Sequence, residues 1–235
     1  MARNRVTRIL CVVDPRGDVP ALERAMSVAH ERDVQAVALV GDLSGPLATT
    51  EDYRAVFRAL ADANLPAYWV PGPGDAPIAE YLREAQNVEV VYPYLHGVHG
   101  TIAFTPDQHV LVAGMGGEIS DDPDAPRDET ERLRYPRWEP EYRLKLIREL
   151  PEHQLVLLFA TPPAHKGHGM PGSEVLTELI ASHRPRLVVS GGERGSELIG
   201  RSLVVAPGSL GDGYYGIADL HSHEVELEDL AGAAA

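Results

Sequence analysis

Short runs of aliphatic, mostly β-branched residues alternate with longer amphipathic segments through the first third of the chain, and this alternation restricts the fold more than any other feature. RILCVV (8–13), VQAVALV (34–40) and PAYWVPG (66–72) read as strands. Between them, VPALERAMSVAHER (19–32) and DYRAVFRALADAN (52–64) read as helices, the first with Leu22, Ala25, Met26 and Ala29 on one face. Strands that are apolar throughout suit a parallel sheet covered on both sides, and the helical stripes supply a cover. The repeated unit is βαβ, which predicts the α/β class.

The pattern changes after residue 72. VEVVYP (88–93), GTIAFTP (100–106) and HVLVAGM (109–115) read as strands with little helix between them, which predicts an antiparallel segment. The acidic stretch EISDDPDAPRDETE (118–131) reads as a solvated loop. A helix is expected over EPEYRLKLIREL (139–150), with Glu141 and Lys145 paired at i, i+4. QLVLLFA (154–160) and PRLVVSG (185–191) are further strands around a helix, GSEVLTELIASH (172–183). The segment 202–227 predicts three strands joined by glycine turns, and 228–235 a frayed tail. With no internal repeat or low-complexity linker, residues 1–235 are expected to form one domain.

Charge narrows the partners. Thirty-five acidic residues against 21 basic ones give a net charge of −14, with no run of Lys and Arg to attract a nucleic-acid backbone. The single cysteine, Cys11, lies in an apolar run and has no partner for a disulfide within the chain. The N-terminus lacks the apolar core of a signal peptide, and no apolar stretch reaches the roughly 18 residues of a membrane span. A cytoplasmic protein with neither nucleic-acid nor membrane partners is expected.

In open α/β sheets ligands collect beyond the carboxyl ends of the strands. Five loops lie there: DPRG (14–17), GDLSG (41–45), PGPGD (71–75), ATPPAHKGHG (160–169) and SGGERG (190–195). None forms a P-loop, a dinucleotide fingerprint or a nucleophile elbow. Asp42 is either a turn residue or half of a carboxylate pair with Asp14. Arg16 either neutralises that pair or faces solvent. His165 and His168 either border the cleft or lie on a surface loop.

The order and spacing of these loops, from RILCVVD to PGSLGDGYYGIADL, resemble the calcineurin-like metallophosphoesterases, in particular their small bacterial and archaeal phosphodiesterase branch. In that family the loops read DxH, GDxxD, GNH[DE], a histidine before a PP pair, and GHxH. The resemblance implies a four-layer α/β/β/α sandwich of two mixed sheets flanked by helices. It also implies a dinuclear metal centre whose hydroxide attacks phosphorus. Asp14 matches the first aspartate and Asp42 the metal-bridging one. Elsewhere the ligands are replaced: the histidine of DxH is Arg16, the asparagine and histidine of GNH are Pro73 and Gly74, the histidine before PP is Ala160, and those of GHxH are Gly192 and Arg194. Asp75 keeps the acidic residue after GNH.

Two carboxylates without imidazole suit at most one weakly held hard cation, magnesium, manganese or calcium, on Asp14 and Asp42. Without metals, Arg16 and Arg194 can neutralise the aspartates in their place. The expected ligand-binding set is Asp14, Arg16, Asp42, Asp75, Arg194, His165 and His168, with Asp75 and His165 as candidate catalytic groups. One reading is a phosphoesterase homologue that has lost most metal ligands and binds a small anionic or phosphate-containing ligand, or regulates. The other is an active phosphomonoesterase or phosphodiesterase with a reduced metal site. The aromatics and arginines of RYPRWEPEY (134–142) suit a substrate lid, a homo-oligomer contact or a self-packed loop.

Overall fold

The computed structural model describes residues 5–164 and 172–232. The first sheet grows by the βαβ steps expected: β1 (Arg8–Val13), α1 (Val19–Glu31), β2 (Ala36–Gly41), α2 (Thr50–Asp62), β3 (Ala67–Pro71), α3 (Ile78–Val91) and β4 (Leu95–Gly97). The second contains β5 (Ile102–Phe104), β6 (Val110–Met115), β9 (Gln154–Phe159), β10 (Leu187–Ser190), β11 (Gly195–Ile199) and β12 (Ser202–Ala206). Between them in sequence come a short ribbon, β7 (Glu118–Ile119) and β8 (Arg134–Tyr135), and α4 (Trp138–Leu144), which continues as a 3-10 turn over Lys145–Glu149; α5 (Glu174–His183) follows β9. The chain then returns to the first sheet as β13 (Tyr214–Asp219) and β14 (Glu224–Asp229).

Strand order is β14-β13-β1-β2-β3-β4 in one sheet and β11-β12-β10-β9-β6-β5 in the other. Both are mixed. β1 to β4 run parallel, with β13 antiparallel on β1; β6, β9, β10 and β12 run parallel, with antiparallel edges β5 and β11.

Alternation along each strand divides its apolar residues between two interiors. Ile9, Cys11 and Val13 of β1 face the other sheet, meeting a layer that includes Val156 and Leu158 of β9 and Val189 of β10. Leu10 and Val12 face the opposite way, into the layer holding Leu22 and Met26 of α1 and Phe57 of α2. A third interior joins Leu157 and Phe159 of β9 to Leu144, Leu176 and Ile180 beneath α4 and α5. These layers are the four-layer α/β/β/α sandwich. Cys11 is sealed at its centre, where burial pushes the thiol up to about 12.

Four expectations are corrected. VEVVYP is not a strand: residues 88–91 finish α3, because Tyr81, Ala85 and Val88 continue one helical face onto the first interior. The β-branched Val90 and Val91 are left exposed, so tertiary packing overrides their strand preference. Glu141 pairs with Arg148 at 3.0 Å and not with Lys145, whose ammonium lies over the Tyr142 ring; the turn to 3-10 geometry at Lys145 removes the i, i+4 register. The acidic loop is stapled to the fold: Asp121 accepts from the Ser173 hydroxyl and from the backbone N–H of Glu174 and Val175 at the start of α5, and Glu118 pairs with Arg132 and Arg134. Nor does the tail fray at 228, since β14 runs to Asp229 and the N–H of Leu230 donates to Gly213.

Candidate functional site

The first three βαβ loops converge at the carboxyl end of the first sheet, where backbone bonds lace them together. The N–H of Asp14 donates to Val40, that of Arg16 to Asp42 and that of Gly17 to Leu43. The Asp14 carbonyl accepts from the Ser209 hydroxyl, which ties in the β12–β13 connection. Asp14 and Arg16 both have left-handed backbone, with φ of 46° and 49°. Non-glycine residues hold that conformation when surrounding contacts impose it, often at functional loops.

Side chains complete the lacing. Asp14 Oδ1 accepts the N–H of Asp42 at 2.9 Å, and Oδ2 takes the Arg16 guanidinium at 3.0 Å. Asp42 Oδ1 accepts the N–H of Gly74 at 2.7 Å. Asp75 is fully buried; its two oxygens accept from the N–H groups of Leu43, Ser44 and Gly72 and from the Tyr53 hydroxyl. Each aspartate thus anchors backbone of a neighbouring loop. Two glycines permit this approach: a Cβ on Gly41 would lie 1.9 Å from Asp14 Oδ1, and one on Gly72 would lie 2.1 Å from Asp42 Oδ1.

Burial pushes the Asp14 carboxyl up, and the charge of Asp42 adds to this, against the pull of the Asp42 N–H and of Arg16. Burial likewise pushes Asp75 up to about 7, outweighing its backbone donors. A carboxyl group so enclosed acts as a strut between loops and meets no groove.

The arginines part company. Arg16 pairs with Asp14 while its side chain keeps 55% of its exposure. Arg194 does not neutralise the aspartates: its guanidinium lies 4.6 Å over the Tyr214 ring and makes no ion pair among the described residues. Its place just before β11 directs it toward the start of β13, where the cation finds an aromatic face. Ala160 directly follows β9 and precedes Thr161, whose hydroxyl donates to the Gly117 carbonyl. His165 and His168 lie outside the described residues.

A groove of about 540 Å³ opens beside Asp42, walled by Pro46, Leu47, Pro73, Gly74 and Arg132. Asp42 Oδ2 makes no hydrogen bond to protein among the described residues. It is the carboxylate oxygen of the three aspartates left without one. Among the described residues no group of three or more His, Cys, Asp or Glu side chains is placed to hold a metal ion.

Sequence reasoning passed over a second polar cluster. His99 Nδ1 accepts the N–H of Gly116 at 3.0 Å, its Nε2 lies 3.1 Å from the Tyr135 hydroxyl, and that hydroxyl donates to Glu129. Since Nδ1 accepts, the neutral ring carries its proton on Nε2 and donates to Tyr135. Burial, and then the nearby positive charge of Arg143, push the imidazole down to about 3. The cluster backs the third loop, because Gly117 N–H donates to Pro71 and Leu133 N–H to Pro73. Its members are far apart in sequence and follow no spacing rule, so only the fold brings them together.

A model of the metallophosphoesterases of the calcineurin superfamily matches residues 1–230. The chain belongs to that superfamily. A crystal structure of TT1561 of Thermus thermophilus is similar, at 44% identity and a TM-score of 0.91, over 96% of this chain and 100% of that one. A dimetal phosphatase from Danio rerio shares the fold at 12% identity and a TM-score of 0.60, over 96% of each chain. So does an archaeal phosphodiesterase, at 12% identity and 0.51, over 94% of this chain and 99% of that one. No curated protein matches the chain. Among the described residues no helix is long and apolar enough to cross a membrane.

Proposed function

We propose that this chain is a phosphoesterase homologue whose loop site has exchanged its dinuclear metal centre for a backbone-anchored carboxylate cluster, and that it binds a small phosphate-bearing ligand without hydrolysing it efficiently. One observation carries the reading: Asp14, Asp42 and Asp75 spend their oxygens on neighbouring loop amides and on Arg16. The donors present do not fit two divalent ions. One uncommitted carboxylate oxygen faces the groove, while Pro73, Gly74, Ala160, Gly192 and Arg194 stand where imidazole and amide ligands are expected from the family pattern.

The half-exposed guanidinium of Arg16, beside Asp14, supplies positive charge to a phosphate at the loop end, and a guanidinium fork suits phosphate oxygens. Purified protein should contain well under one equivalent of metal by plasma mass spectrometry. It should turn over neither p-nitrophenyl phosphate nor bis-p-nitrophenyl phosphate with added manganese, and should take up inorganic phosphate in EDTA by calorimetry. Stoichiometric metal, with turnover abolished by Asp42→Asn, would refute this and support a reduced but working metal site.

A further inference from the structure

The N-terminal ends of β9, β10 and β12 gather at the end of the second sheet opposite the phosphoesterase loops. A cavity of about 570 Å³ lies there, and Arg148, Arg184, Arg186 and Arg201 all line it. None of its lining residues is acidic, although acidic residues outnumber basic ones 35 to 21 in the chain. Four arginines gathered around one space repel each other, and an anion placed there relieves that repulsion.

The local reasons for these arginines do not account for the cluster. Arg184 follows α5, whose carboxyl end favours a cation. Arg148 comes from the 3-10 turn after α4, Arg186 from the approach to β10 and Arg201 from the turn before β12. Among the described residues only Arg148 of the four has a carboxylate partner, Glu141 at 3.0 Å. Arg186 donates to the carbonyls of Leu220 and His221, which fixes its direction and leaves its charge uncompensated. The side chains of Arg184 and Arg201 make no hydrogen bond or ion pair among the described residues. Ile147, Leu150 and Pro185 give the same cavity an apolar wall.

From this convergence we infer that the cavity is a second anion site, separate from the loop end, which binds a pyrophosphate group, either free or carried by a nucleoside diphosphate. Three uncompensated guanidinium groups match the charge of two linked phosphates better than that of one. The volume lies within the ordinary range for small-molecule pockets, roughly 300 to 1,000 Å³. The apolar wall gives a nucleoside somewhere to lie.

Calorimetry in EDTA with inorganic pyrophosphate, ADP and orthophosphate tests this on the intact chain. Pyrophosphate should fill one tight site beside any weaker uptake at the loop end, and should bind there more tightly than orthophosphate by about tenfold or more. A tighter fit for ADP identifies the nucleotide as the source, and equal affinity the free anion. The double variant Arg184→Asn, Arg201→Gln should weaken pyrophosphate by about tenfold or more; asparagine tolerates the left-handed backbone at 184. Arg16→Ala should reduce only the weaker uptake at the loop end and leave the tight phase as it is, which separates the two sites. Should the double variant misfold, phenylglyoxal modification of the wild type decides, with pyrophosphate protecting Arg184 and Arg201. Absence of pyrophosphate binding, affinity lost in Arg16→Ala but not in the double variant, or no protection of these arginines would overturn the inference.

Discussion

The carboxylate of Asp14 accepts the backbone N–H of Asp42 at 2.9 Å. It therefore holds the second loop in place at the position where the family pattern puts a metal ligand. Asp42 repeats the arrangement on Gly74 at 2.7 Å, so the two aspartates that match the family's ligands act in series as loop anchors. An acceptor role and a ligand role respond differently to substitution.

Asp42→Asn keeps an oxygen for the Gly74 amide and removes a negative charge that helps to raise Asp14. It should change unfolding free energy by less than about 1 kcal/mol, whereas Asp42→Ala, which loses the acceptor, should cost about 1 to 2 kcal/mol. Urea unfolding of both variants checks this. Equal losses would show that charge, and not the acceptor, matters at this position.

Asp75→Asn is nearly isosteric and should be worse than Asp42→Asn. The buried carboxyl uses both oxygens, with Gly72 N–H on Oδ2 and Ser44 N–H and the Tyr53 hydroxyl on Oδ1. An amide offers one oxygen and turns its NH₂ toward donors on the other side, so a loss of about 2 to 4 kcal/mol is expected. Differential scanning calorimetry should show a lower Tm than for Asp42→Asn; an unchanged Tm would mean that burial alone holds the three loops.

How far these features were legible depended on whether they were local. The βαβ steps could be read because continuous apolar runs and amphipathic stripes are local signals, as in RILCVV and in the Leu22 and Met26 face of α1, whereas the four-layer order was implied by the family resemblance. Residues 88–91 misled because a run of valines carries strand propensity while its place was decided by Tyr81 and Ala85 one and two turns earlier. Asp14 and Asp42 could be picked out by position after strands, but not their partners, since the N–H of Gly74 is reached only through the close approach that Gly72 allows. Arg194 misled in the same way: its sequence position matched a ligand site, and its partner, the Tyr214 ring, comes from another strand.

His99 should make the protein sensitive to acid. Its folded pKa is pushed down to about 3 by burial first and by Arg143 second, against about 6.5 in the unfolded chain. A group depressed in this way contributes its full stability above about pH 6.5 and loses it as pH falls toward the folded value, because the unfolded chain takes up a proton that the folded one refuses. His99→Asn, which can still accept from Gly116, should flatten the fall in unfolding free energy between pH 6.5 and 4. Parallel curves for variant and wild type would place the acid sensitivity elsewhere.

Arg16→His restores one family ligand in sequence and should restore no hydrolysis. The new imidazole would join Asp42 Oδ2 and an Asp14 released from its guanidinium partner, while Asp14 Oδ1 stays on the Asp42 amide and Asp42 Oδ1 on that of Gly74. Manganese favours about six hard ligands, and here it would meet Pro73, Gly74, Ala160 and Gly192 where the other protein ligands are expected. Metal content should stay below one equivalent and bis-p-nitrophenyl phosphate turnover should not rise above wild type. Stability should fall by no more than about 1 kcal/mol, since the lost pair is half exposed. The change should instead appear at Asp14: without the guanidinium, burial and the charge of Asp42 raise its carboxyl further, which carboxyl carbon NMR titration would read directly. Manganese-dependent turnover in this variant would mean that the centre lacks one ligand, and that the amide contacts yield to a metal.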